Sequence, residues 1–245
     1  MAVSAAERRF LLDQVNRLAQ TDLNNLWSAA ATMGDGDFFG YVLAGFPEIA
    51  NDYHQVAGQI AANWFEESDP LSPYVASVAA PIALERLTGS AQWALGGDGD
   101  VGRSRLSGAL QRATFDGSRD TTLVNVESTG SRWIRVARPT ACGFCRLLAT
   151  RTGESSYSSR EAAVNVVGRR GGRTRGSRRA GEKYHDDCYC QPVEIRDSQS
   201  IGDVLSVDDA RLVDQWNDEY LKARANAGNG DPKQILAAWR QQGVS

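Results

Sequence analysis

Two stretches decide the fold: Ser131-Arg-Trp-Ile-Arg-Val-Ala-Arg-Pro-Thr-Ala-Cys142-Gly-Phe-Cys145, and His185-Asp-Asp-Cys188-Tyr-Cys190-Gln-Pro-Val-Glu-Ile195. Together they hold all 4 cysteines of the chain and one of its 2 histidines. Cys-x2-Cys sets two thiolates on one side of a tight turn, and His-x2-Cys-x-Cys supplies a second set of donors. Each set abuts a short strand pattern. Residues 131–138 alternate basic and apolar side chains, which predicts a strand with one buried face, stopped by Pro139. Residues 191–195 read as its partner, and Gly143 to Thr150 as a knuckle running into a short helix. The expectation is a small β unit stapled by one metal ion.

The donor set is Cys142, Cys145, His185 and one of Cys188 and Cys190, with Cys188 favoured because His-x2-Cys mirrors the first pair. The assignment with Cys190 stays open. Thiolate and imidazole donors suit zinc. Four protein ligands fill a tetrahedron, so the expected role is structural; a catalytic zinc keeps an open position and a base nearby. Asp186 and Asp187 flank the histidine but equally fit a polar turn.

Outward from this centre the pattern is helical. Residues 5–31 carry a stripe of Leu11, Val15, Leu18 and Leu26, with Leu23 and Trp27 beside it. A helix over about 47–67 has Ile49, Tyr53, Val56, Ile60 and Trp64 on one face. A third covers about 74–94, with Pro81 as a kink or its true start, and 102–130 is helical on a weaker pattern. Residues 207–227, with Leu212, Trp216, Tyr220 and Ala223 aligned, and 232–241, with Ile235, Leu236 and Trp239, complete the set. The Asp-Gly runs at 34–37 and 96–100 read as turns, since neither has a full calcium-loop sequence. The fold class is therefore mainly α with a small zinc-stapled β unit (α+β).

Charge divides the chain into three regions. Residues 1–100 hold 13 acids and 4 bases, residues 101–196 hold 9 acids and 18 bases, and residues 197–245 hold 8 acids and 5 bases. We read these as an acidic helical region, a basic region with the Cys/His site, and C-terminal helices. Within the basic region, 168–183 reads GRRGGRTRGSRRAGEK, with no apolar periodicity, as a loop. Its Arg169, Arg170, Arg173, Arg175, Arg178 and Arg179 suit phosphates of DNA or an acidic protein surface. It has no aromatic for base stacking.

The longest apolar run, Val75 to Leu84, contains Ser77 and Pro81 and is too short to cross a bilayer. The N-terminal segment shows no apolar core ahead of a cleavage site. The expected compartment keeps thiols reduced, which favours metal over disulfides. No nucleophile elbow, zinc-protease helix or phosphate-cradling loop is present, and His54 is the one histidine outside the site.

The segments RVARPTACGFCRLLATRTG (135–153) and YHDDCYCQPVEI (184–195) resemble the minor capsid proteins of tailed phages in the Mu F-like head morphogenesis group, especially the actinobacteriophage type. The helix with Trp216, Glu219 and Tyr220 is similar too, so the specific likeness runs over about 133–220. The Arg-Gly stretch between the half-sites is longer than in that group. The resemblance implies a virion protein, inside the head near the portal, assisting assembly and DNA packaging or delivery; with no recognisable nucleophile motif beside His54, a non-enzymatic role is expected. Its implied partners are portal or major capsid protein and packaged DNA. Two other functions compete. One is a capsid maturation protease, which would need His54 as its base; the other is a zinc-containing DNA-binding protein outside the virion.

Overall fold

The computed structural model describes residues 3–97, 99–152, 156–157, 188–197, 199–228 and 231–242. Among these, eight helices and a two-stranded sheet follow in the order α1 (Ala5–Ala30), α2 (Asp35–Glu67), α3 (Leu84–Leu95), α4 (Gly99–Thr129), β1 (Arg132–Val136), α5 (Gly143–Ala149), β2 (Gln191–Ile195), α6 (Ile201–Val204), α7 (Val207–Ala227) and α8 (Pro232–Gln241). This is the mostly helical fold with a small sheet that the sequence predicts.

Local chemistry explains the boundaries. Ser4 caps α1 in a reciprocal box with Glu7, and Ser206 caps α7. Gly228 closes α7 in the left-handed conformation, which glycine adopts without strain. One boundary moves: α2 begins at Asp35, not near 47, and runs through Pro47. Proline removes one helical donor there, but Val42, Phe46 and Ala50 around it are fully buried and hold the helix to its neighbours.

The faces move as well. In α1 the buried side runs through Leu12, Val15, Ala19 and Leu23, while Leu11 and Leu18 face solvent. In α2 the buried positions include Ala50, Ala57, Ala61 and Phe65, and Val56 is exposed. In α2 the reason is a close crossing with α4, the most extensive helix pair. Gly117 of α4 lies directly on the His54 backbone, and a methyl there would collide with the His54 carbonyl. A methyl on Gly58 would come within 3.0 Å of Thr121 Oγ1. Small residues form this crossing, so large apolar residues do not mark it.

Residues 72–83 are not helical; they form an extended strap that leads to α3. Pro81 thus belongs to the approach to the helix rather than its interior. A strap lying on helices has no strand to pair with, yet its backbone polar groups need partners. Side chains supply them. Asn125 Nδ2 donates to Ser77 O at 2.8 Å, while its Oδ1 accepts from Ser77 N and from the Tyr74 hydroxyl, each at 2.8 Å. Asn51 Oδ1 accepts from Ile82 N and its Nδ2 donates to Ile82 O. Thr121 Oγ1 accepts from Ala79 N, and Gln55 donates to Ala79 O.

β1 and β2 pair antiparallel with Arg132 opposite Ile195 and Val136 opposite Gln191. Tyr157 bridges the other edge of β1 through two backbone hydrogen bonds with Trp133. The sheet is buried on both faces, against the sequence expectation of one. Ile134, Val136 and Val193 pack with Ala5, Val204 and Leu205. Trp133 packs on the opposite side with Phe65, Leu123, Val126 and Tyr157.

One buried and one part-buried ion pair tie α1 to the sheet and to α7. Arg8 grips Glu194 with two hydrogen bonds of 2.7 and 2.8 Å, and Arg9 reaches Asp209 at 2.8 Å. Burial alone would raise the Glu194 carboxyl, but the Arg8 charge and hydrogen bonds outweigh it and hold it below the usual range.

Candidate metal centre

The Cys-x2-Cys turn is a helix start. Cys142 is the N-cap of α5, in extended conformation, and Cys145 is its third residue. N-cap and third-residue side chains meet over a helix N-terminus, the geometry of a capping box. The second set enters from the segment before β2, where Cys188 and Cys190 are both buried.

The Sγ atoms of Cys145, Cys188 and Cys190 all lie within 4.8 Å of one another. Cys145 and Cys188 are 3.6 Å apart, far beyond a disulfide bond. A zinc–sulfur bond of about 2.3 Å implies a tetrahedral edge of roughly 3.8 Å. Three buried sulfurs within 4.8 Å of one another, one pair near that edge length and none in a disulfide, could hold a metal ion. Cys188 and Cys190 both contribute to the group; the sequence had assigned one of them to the site. Cys142 hydrogen-bonds to Cys145 but stands outside this group of three.

Crowding governs the acidities. Hydrogen bonds to Cys142, Cys188 and Cys190, together with burial, push the Cys145 thiol up. Hydrogen bonds from Cys145 and Cys190 hold Cys188 down, helped by the Arg119 guanidinium. A cation placed among the sulfurs would replace this competition for protons by coordination, because thiolates are the metal-binding form.

Arg119 of α4 is the residue that sequence reasoning missed. Almost completely buried, it donates to Cys188 O at 2.6 Å through Nη2 and to Cys190 O at 3.1 Å through Nε. Asp116 one turn earlier accepts from its Nη1 at 3.1 Å. A planar fork can hold two carbonyls in register, so the cysteine segment is bolted to α4. Around it, Arg138 lies over Tyr189 at 4.2 Å, and Tyr189 meets Phe115 edge-on at 5.1 Å. An arginine in the middle of a helix otherwise rich in small residues was the available signal.

This accounts for much of the basic excess. Arg119, Arg135 and Arg196 are buried, and Arg146 and Arg151 lie against Trp216 and Tyr220 of α7. His185, Asp186 and Asp187, and the loop with Arg169, Arg170, Arg173, Arg175, Arg178 and Arg179, lie outside the described residues. His54 is 1% exposed, with Nδ1 3.1 Å from Ala113 O and Nε2 3.2 Å from Ala80 O. It pins the strap to the α2–α4 crossing. No described helix is long and apolar enough to cross a membrane.

No curated protein and no solved structure matches the chain. A family model described as "VG15 protein" matches residues 2–223. The chain therefore belongs to the VG15 protein family, a phage-related family.

Proposed function

We propose that this protein is a structural minor capsid protein of a tailed phage, of the Mu F-like kind, held inside the head near the portal. There it assists head assembly and the packaging or delivery of DNA, with one zinc ion as a staple. The observation that carries the reading is the sulfur cluster. It is buried, it is clamped through Arg119 to the helical core, and it sits in a chain of a phage-related family. Zinc is the metal of choice because sulfur donors suit it and it brings no redox chemistry. Cys145, Cys188 and Cys190 hold it, with the fourth position filled by Cys142 or His185. A site closed by four side chains positions chain segments rather than substrates.

A non-enzymatic role draws support from His54. Both of its ring nitrogens face backbone carbonyls in the core, whereas a general base needs a nitrogen within reach of its substrate. The partners in this reading are portal or major capsid protein, with the Arg-rich loop available to packaged DNA. A mass-spectrometric inventory of purified heads, with metal analysis of the recombinant protein, tests it. We expect low copy number in heads and about one zinc per chain. Recovery of the protein only outside heads would refute the reading.

A further inference from the structure

One end of the helical bundle is formed by the α1–α2 connection and the α3–α4 connection. It exposes five large apolar side chains: Met33 at 40%, Phe39 at 46%, Tyr41 at 42%, Trp93 at 57% and Val101 at 52%. A continuous series of contacts joins most of them. Phe39 stands edge-on to Phe38 at 5.7 Å, and Phe38 stands edge-on to Trp27 at 5.0 Å. A methyl on Gly102 would lie 3.6 Å from Trp27 and 2.9 Å from Gly97 O. One on Gly97 would lie 3.0 Å from Val101 and 2.9 Å from Arg105. The Arg105 guanidinium in turn covers Trp93 at 4.7 Å.

The charge around this end is mainly negative. Residues 31–41 and 94–102 hold four aspartates and no base, and Asp37 and Asp100 are exposed. The neighbouring bases are engaged within the fold: Arg105 on Trp93, and Arg103 on Asn24 at 2.7 Å. Around Gly34, Gly36 and Gly40 an added methyl would meet nothing within 4 Å, so the surface is open. The patch also lies far from the metal centre. Arg8, at the start of α1, touches β2, and Trp27 lies about 28 Å further along the same helix at 1.5 Å per residue. Exposed apolar residues in one cluster, unlike single ones, mark contact surfaces.

We propose that this end of the bundle is a docking surface for a protein that offers an apolar hollow rimmed by lysine or arginine. Trp93 and Phe39 are the anchors, since aromatic residues dominate interface energetics. The acidic rim steers and orients the partner. The same rim opposes an anionic lipid surface and a second copy of this chain, both of which would bring negative charge against it. The surface is argued from the bundle alone. The head reading enters only in naming portal or major capsid protein as the expected partner.

The test is photocrosslinking of the full chain in cells where the phage grows, with benzoylphenylalanine at position 39, at position 93, or at exposed Leu221 on α7 as control. Positions 39 and 93 should give the same protein adduct, identified by mass spectrometry, and Leu221 should not. Reversing the rim with Asp37→Lys and Asp100→Lys should lower the adduct on the order of tenfold, with circular dichroism unchanged. No adduct above the Leu221 control, an adduct with a second copy or with lipid, or an adduct indifferent to the charge reversal would each overturn the docking surface. An adduct with a protein foreign to the head keeps the surface and removes the head reading. Presence in heads with no adduct at 39 or 93 does the reverse.

Discussion

Removing the metal should loosen the protein by an amount set by chain length. Cys145 and Cys188 are separated by 43 positions, so an ion held by both closes a large loop. Treating the metal bridge as a cross-link, closing 43 residues removes about 13 cal/mol/K from the unfolded chain, or about 4 kcal/mol at room temperature. At saturating metal the stabilisation should settle near that value, because the unfolded chain can still chelate, but only after paying the loop entropy. The perturbation is a chelator on the wild type, and Cys145→Ser as the genetic equivalent. The assay is urea unfolding followed by tryptophan fluorescence. With a slope of about 2 kcal/mol/M, the midpoint should fall by about 2 M. Cys145→Ser should lose a similar amount, and chelator should do nothing further to it. A wild-type midpoint indifferent to chelator, or a chelator effect equally large in Cys145→Ser, would refute the staple.

Other expectations are independent of metal. Glu194→Ala leaves Arg8 charged and buried, and should cost about 3–5 kcal/mol, with much of it restored by pairing Glu194→Leu with Arg8→Met. The Glu194 carboxyl is depressed in the folded state. Its contribution is therefore complete above the unfolded value near 4.5 and lost as pH falls through the folded value; acid titration of Glu194→Gln should lack that part of the loss. Gly117→Ala sets a methyl against the His54 carbonyl and should cost roughly 3 kcal/mol or more, read as a lowered melting temperature. Asn125→Ala strips partners from both the N–H and the C=O of Ser77. It should cost about 2–3 kcal/mol, and hydrogen exchange should rise first in residues 74–80.

Much of the architecture was legible in sequence because its signals are local. Caps, prolines and glycines set the ends of α1, α4, α7 and α8, and the alternation around Trp133 and the run after Cys190 placed both strands. The start of α2 was hidden because Pro47 is a breaker on local grounds, and only buried neighbours on both sides keep it helical. Residues 74–83 carry apolar residues at helix-like density, but their polar groups are claimed by Asn125, Asn51 and Thr121 from elsewhere in the chain. The cysteine pattern pointed to a site that could hold a metal ion. It was silent on Arg119, because an arginine that binds backbone carbonyls 69 and 71 positions away leaves no spacing to read.

By itself, then, the sequence determined the helical class, the pair of strands and the four cysteines from which a sulfur cluster is drawn, since each depends on neighbours a few residues apart. The inner faces of α7 and α8 were legible too, with Trp216, Ala223, Ile235 and Trp239 buried; tertiary structure alone decided which faces of α1 and α2 are inside. Close approach at Gly58 and Gly117 favours small residues over the large apolar ones that mark a stripe, and leaves Val56 of α2 in solvent. It also decided the meaning of the positive charge. Arg8, Arg119, Arg135 and Arg196 are buried within the fold, because a guanidinium can be buried only where carboxylates, carbonyls or aromatic faces converge on it, and that convergence exists only after the chain has folded.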